Sequence, residues 1–133
     1  MTVSQEYQDF ILDLLHPLAP VPHRMFSGVG LFHSGAMFAL LVRDTVYLRV
    51  DDTTRARFEQ AGSGPFTYLR AGREVSLSAY YLLPEELLDE PDELLEWARE
   101  AIGAARRATL NAGPAKSRSN GRGSRRKPRA GSG

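Results

Sequence analysis

The sequence predicts an α+β domain in which helices pack on an antiparallel five-stranded sheet, in the order α-β-β-β-α-β-β-α. Three observations predict it. Three apolar, β-rich runs (Val29 to Phe32, Met37 to Val42, Val46 to Val50) are separated only by His33-Ser34-Gly35-Ala36 and Arg43-Asp44-Thr45. Spacers that short join antiparallel neighbours, because a parallel crossover needs about a dozen residues or more. Further on, Phe66 to Arg70 and Glu74 to Leu82 flank an Ala71-Gly72 turn, which gives a second hairpin. Helical spacing of apolar residues marks both ends of this β-rich region.

The elements follow in order. Tyr7, Phe10, Ile11, Leu14, Leu15 and Leu18 recur at intervals of three and four among polar residues, so an amphipathic helix starts near Ser4 as N-cap and ends before Pro17. Pro17, Pro20 and Pro22 then force an extended connection, since each lacks an N–H and restricts its predecessor. In the meander, Met37 to Val42 is apolar throughout, as in a central strand covered on both faces. Val46, Leu48 and Val50 share one face of the next strand, with Tyr47 and Arg49 on the other. Asp51-Asp52-Thr53 offers caps for a short helix over Thr54 to Ala61, with Phe58 as its inward anchor and Gly62 and Gly64-Pro65 ending it. Val75, Leu77 and Ala79 alternate with Ser76, Ser78 and Tyr80 in the second hairpin. Pro84 to Leu88 suits one helical turn. Pro91 opens a last helix to about Ala108, acidic in its first turn (Asp92, Glu93) and basic in its last (Arg106, Arg107), which complements the helix dipole.

Charge divides the 133-residue chain in two. Residues 112–133 hold Lys116, Arg118, Arg122, Arg125, Arg126, Lys127 and Arg129, with no acid and no large apolar residue. Such a segment buries too little surface to offset its ordering entropy, so it is expected to be a disordered basic tail. Residues 1–111, the expected α+β domain, carry 10 Arg against 16 acids, formally −6 beside a tail of +7. There is no cysteine, hence no disulfide, thiol nucleophile or thiolate metal site. No signal peptide is expected, because Glu6 and Asp9 stand where a basic region would. No apolar run reaches the roughly 18 residues of a membrane span, so a cytoplasmic protein without membrane contact is expected.

Candidate chemistry is thin. Ser27-Gly28-Val29-Gly30 runs into a strand, whereas phosphate loops open a helix and carry a Gly-Lys pair. These glycines therefore read as a bulge or a close approach between strands. His16, His23 and His33 form no i,i+4 pair for metal, and Asp51 and Asp52 read as helix caps. Ser34 lacks the strand–turn–helix setting of an activated nucleophile. Glu85, Glu86, Asp89 and Glu90 flank helix starts and read as a solvated face. Tyr47, Tyr80 and Tyr81 read as outward or edge-facing. A subunit or partner interface and a partly buried sheet face both stay open for them. No catalytic set, cofactor or metal is expected. The seven tail cations can track phosphates without reading bases, which makes them the candidate nucleic-acid contact.

Several stretches carry a family resemblance: Arg24-Met-Phe-Ser-Gly-Val-Gly-Leu-Phe, Met37-Phe-Ala-Leu-Leu-Val-Arg-Asp, Val46-Tyr-Leu-Arg-Val-Asp-Asp, Pro65-Phe-Thr-Tyr and Ala79-Tyr-Tyr-Leu-Leu-Pro-Glu-Glu-Leu-Leu. Over about Ser4 to Ala105 the chain resembles the N-terminal domain of the TfoX/Sxy family. The resemblance implies a fold similar to secretion-chaperone-like and YjbR-like domains. It also implies transcriptional regulation of natural competence without a catalytic centre. Regulators of that family carry a second, helical C-terminal domain, where this chain is expected to have only the basic tail. The implied function is a non-enzymatic regulatory or adaptor protein that binds a protein partner, a second copy of itself included. The alternative is sequence-independent nucleic-acid binding through the tail.

Overall fold

In the computed structural model, which describes residues 3–25 and 28–112, the first helix α1 spans Gln5–Leu14. Ser4 caps it, its Oγ accepting from the Tyr7 N–H at 3.1 Å. Ile11 and Leu15 are buried beneath it. Pro17 sits in a 3-10 turn, His16–Leu18, and Ala19 leaves that turn in the left-handed region at φ 50°. Six strands and two more helices follow: β1 Val21–Met25, β2 Gly28–His33, β3 Ala36–Val42, β4 Thr45–Arg49, α2 Arg55–Gln60, β5 Pro65–Arg70, β6 Arg73–Leu82 and α3 Pro91–Ala112. A 3-10 turn, Glu85–Asp89, fills the place predicted for one helical turn.

All the strands join one antiparallel sheet in the order β1-β2-β3-β4-β6-β5. The sequence predicted five. The sixth is β1, in the proline-rich stretch read as a plain connection. Its extended backbone pairs on one side only, Pro22 opposite Leu31, and an edge strand is where a sheet accommodates a residue without an N–H.

Between Leu31↔Ala39 and Phe32↔Met37 the register slips by one residue, with Phe38 the extra residue on β3. The bulge turns Phe38 to the same side as Ala39 and Leu41, and all three are fully buried. Val29, Leu31, Val46, Leu48 and Tyr81 share that face through their pairings. α3 lies across it on β3 and β4, contributing Leu94, Trp97, Ala98, Ala101, Ile102 and Ala105 to the core. Phe58 of α2 completes the core, as predicted. Among the described residues no helix is long and apolar enough to cross a membrane.

One predicted detail is corrected. α3 continues to Ala112, so Arg106 and Arg107 lie inside the helix and do not compensate its last turn. Arg107 instead reaches out of α3, its Nε donating to Asp51 Oδ2 at 2.7 Å. The start of α2 is held by that same Asp51, whose Oδ1 accepts from the Thr53 and Thr54 N–H groups at 3.0 and 3.2 Å. Thr54, although adjacent to the helix, makes no side-chain cap of its own.

Asp51 thus ties α2 to α3. The Arg107 guanidinium, helped by the Thr53 hydroxyl and N–H, holds its carboxyl well below the usual carboxylate range. A carboxyl whose folded value is depressed contributes stability above its unfolded value and loses it as pH falls toward the folded one. Stability should therefore decline as pH drops below about 4, and Asp51→Asn should flatten that decline while costing about 1–2 kcal/mol at neutral pH. Urea melts at pH 7 and pH 3 for both proteins test this; identical acid-induced losses would rule it out.

Candidate functional site

The helices cover one face of the sheet. Strand alternation and register fix what lies on the other. From β1 and β2 come His23, Met25, Gly28, Gly30 and Phe32; from β3, Met37, Leu40 and Val42; from β4, Thr45, Tyr47 and Arg49. β6 adds Tyr80 and Leu82, opposite Arg49 and Tyr47. Beyond a three-residue irregularity at Ser78–Tyr80, β5 adds Phe66, Tyr68 and Arg70, paired with Leu77, Val75 and Arg73.

The expectation that Met37 to Val42 is covered on both sides holds at the strand's centre, where Leu40 is buried, but on this face the cover comes from side chains of the sheet and Met37 and Val42 stay half-buried. No described helix packs there. Leu40 and Tyr80 are buried yet stand outside the main core cluster, shielded by their own neighbours. Tyr80 donates its hydroxyl to the Met37 carbonyl at 3.3 Å. Its ring lies 5.4 Å from the Arg49 guanidinium carbon. Tyr47 meets Phe66 edge-on at 4.9 Å, and Phe66 stacks beside Tyr68 at 5.7 Å. His23 meets Phe32 edge-on at 5.0 Å. Leu82 and Leu77 are more than a third exposed.

A cavity of about 360 Å³ opens at one side of this face, lined by Val42, Thr45, Tyr47, Phe66 and Tyr68 together with Arg43 of the β3–β4 turn. Charge here is one-sided. None of the chain's 16 acids occupies a strand position on this face, whereas Arg49, Arg70 and Arg73 do. Asp44, next to Arg43, accepts from Ser4 Oγ on the helical side. Among the described residues none of Arg43, Arg49, Arg70 and Arg73 joins an ion pair; the three present are Arg55–Asp52, Arg57–Glu100 and Arg107–Asp51.

The other sequence candidates are scattered. His16 lies in the 3-10 turn, His23 on β1 and His33 at the end of β2. No three His, Asp or Glu gather among the described residues. Gly28 and Gly30 lie within β2 and make close approaches to β3 and its side chains, as read from sequence. Ser34 is a turn residue at φ 51°. Tyr81 points into the helix-covered core, donating to Glu59 Oε2 at 2.9 Å, while its neighbour Tyr80 faces the open side. Both are buried, so neither is an outward-facing tyrosine. Glu85 and Glu86 border a second cavity, of about 460 Å³, with Tyr7 and Asp44. Burial first, and then Asp44 and Glu85, raise the Tyr7 phenol above its ordinary value, which keeps it neutral. The seven tail cations, Lys116 to Arg129, lie outside the described residues.

Sequence reasoning missed Arg43, Arg70, Arg73, Phe66 and Tyr68 as one surface. The signal for Tyr47 with Arg49 was their alternation with Val46, Leu48 and Val50. Nothing local revealed that β6 slips by three residues to bring Phe66 beside Tyr47.

Fold and surface together define a small α+β module that presents a broad apolar, cationic sheet face. The family model described as the TfoX N-terminal domain matches residues 13–105, and the chain belongs to that family. It is 33% identical over 82 residues to the DNA transformation protein TfoX1 of Aliivibrio fischeri, covering 62% of this chain and 39% of that one. It is 31% identical over 91 residues to the DNA transformation protein TfoX of Haemophilus influenzae, covering 66% and 42%. The chain thus matches about two fifths of the length of each of these relatives.

Proposed function

We propose that this protein is a non-enzymatic, cytoplasmic regulator of the TfoX type, a competence regulator or a diverged relative, that acts by binding a protein partner through the open face of its sheet. One observation carries the reading: four strands of the sheet, β2, β3, β4 and β5, present Phe32, Met37, Tyr47, Phe66 and Tyr68 on a face that no described helix covers. Contiguous apolar surface of this kind marks interaction sites, and the aromatic content matches what interfaces favour. The family relationship supports a regulatory role, and two relatives are named for DNA transformation. Affinity capture from source lysate, with and without Leu82→Glu on the open face, tests it. A stoichiometric partner lost with Leu82→Glu is the expected result; a partner retained equally by both proteins would refute the assignment to this face.

The charge split favours a second role, sequence-independent nucleic-acid contact through Lys116 to Arg129. With all seven cations engaged on duplex DNA, log K should fall against log salt with a slope of at most about −6. Gel shifts of the full chain with the seven changed to Gln should then show no binding. An unchanged shift would end that reading.

A further inference from the structure

We infer that the open face takes an acidic peptide segment: an aliphatic or aromatic anchor enters the cavity between Val42, Tyr47, Phe66 and Tyr68, and flanking carboxylates meet Arg43, Arg49, Arg70 and Arg73. This rests on the assignment of protein binding to that face and names the chemistry of its partner.

Two independent features point to an anionic, apolar ligand. The first is charge. The body is acidic, 10 Arg against 16 acids, yet this one face holds arginines and no carboxylate. Complementary potential is what steers and orients an incoming partner. A second copy of the same face would set arginine against arginine, and the chain's own basic tail would be repelled from it. The second feature is Arg49. It lies partly buried opposite Tyr80 in the β4–β6 pairing, its Nε is buried without a hydrogen-bond partner among the described residues, and its Nη1 donates to the Tyr80 hydroxyl at 3.5 Å. A desolvated guanidinium N–H left unmatched is costly, and a carboxylate that draws the Arg49 side chain off the Tyr80 ring relieves it.

The rings decide between a peptide and a single-stranded nucleic acid, which also carries negative charge. Stacking platforms offer flat ring faces to successive bases. Here Tyr47 meets Phe66 edge-on, Phe66 and Tyr68 stack on each other at 20° between their planes while lining the cavity, and Tyr80 is buried under Arg49. The aromatic groups wall a cavity of about 360 Å³, which suits a compact side-chain anchor. Val42, Val75, Leu77 and Leu82 add aliphatic surface that bases do not use.

Phage selection of random 12-residue peptides on the immobilised full chain provides the probe. Selected peptides are expected to combine Leu, Ile, Phe or Trp with an excess of Asp and Glu over the starting library. Their affinity should drop about tenfold with Arg43→Glu plus Arg70→Glu, since two exposed pairs turn from attraction to repulsion. Thr45→Phe, which adds a ring at a half-buried position lining the cavity, should abolish binding while thermal melting stays unchanged; Arg43 and Arg70 are exposed, so their variants should also fold normally. Selected peptides without acidic excess, or binding indifferent to both variants, would overturn the inference. Displacement of the peptides by a dT15 oligonucleotide, with a loss of dT15 binding in Arg43→Glu plus Arg70→Glu, would overturn it in favour of nucleic acid. Lysate capture that fails while acidic peptides still bind this face would count against the cellular role alone, leaving the ligand chemistry intact.

Discussion

Phe58→Ala is expected to cost about 3–5 kcal/mol, the range for truncating a buried aromatic side chain. Phe58 is 1% exposed. Its ring meets Trp97 of α3 edge-on at 4.7 Å and Tyr81 of β6 at 6.2 Å, so one side chain joins α2, α3 and the sheet. α2 has six residues, far below the length at which a helix is stable alone. It therefore exists because Phe58 anchors it and Asp51 holds its start. A domain of this size has about 5–15 kcal/mol of stability in all, and each kcal/mol lost lowers the melting midpoint by about 4 °C or more. Trp97 is the only tryptophan, so its fluorescence reports the loss directly in a urea titration. Phe58→Leu, which keeps most of the volume, should cost under about 1.5 kcal/mol. Should Phe58→Ala cost less than about 1 kcal/mol, α2 would be dispensable to the core.

Much of this architecture was legible because its signals are local. Short spacers forced antiparallel neighbours, Ser4 and Pro91 marked helix starts, and Phe58 was the only large apolar residue in a short polar helix. Tyr47 and Arg49 could be placed opposite Val46, Leu48 and Val50 by counting alone. What failed depends on partners distant in sequence. The strand at Val21–Met25 exists because β2 offers it a ladder, and its prolines gave no sign that an edge would tolerate them. The apolar run of β3 looks identical whether its second face is covered by a helix or by neighbouring tyrosine and arginine side chains. Tyr80 and Tyr81 could not be sorted, since the irregularity at Ser78–Tyr80 breaks the simple period. The open face is assembled from β1 to β6 through that slip, so its one-sided charge became visible only with the register in hand.

The two glycines of β2 make a sharper comparison, because both leave no room for a side chain but for different reasons. A Cβ on Gly28 would stand 2.6 Å from the Leu41 carbonyl oxygen, part of the ladder between β2 and β3. Backbone there cannot yield without displacing paired strands. A Cβ on Gly30 would stand 2.5 Å from Met37 Sδ and 3.1 Å from the Phe32 ring, both side-chain atoms on the open face. Methionine has three rotatable side-chain bonds and moves aside readily. Gly28→Ala should therefore cost about 2–3 kcal/mol, in the upper part of the range for overpacking. Gly30→Ala should cost about 1 kcal/mol or less, and Met37→Ala should relieve part of that loss in a double-mutant cycle, since the clash it removes is the Met37 sulfur. The same Met37→Ala change should leave the Gly28→Ala loss additive, because the three atoms nearest that site belong to Leu41 and Val42. Equal costs at the two glycines, or coupling of Met37 to Gly28, would mean that β2 and β3 are not registered as Gly28 against Val42 and Gly30 against Leu40. The residues of β1 and β2 would then exchange faces relative to β3, which would place Val29 and Leu31 on the open face, while Tyr47 and Arg49 keep their place through the separate pairing of β4 with β3.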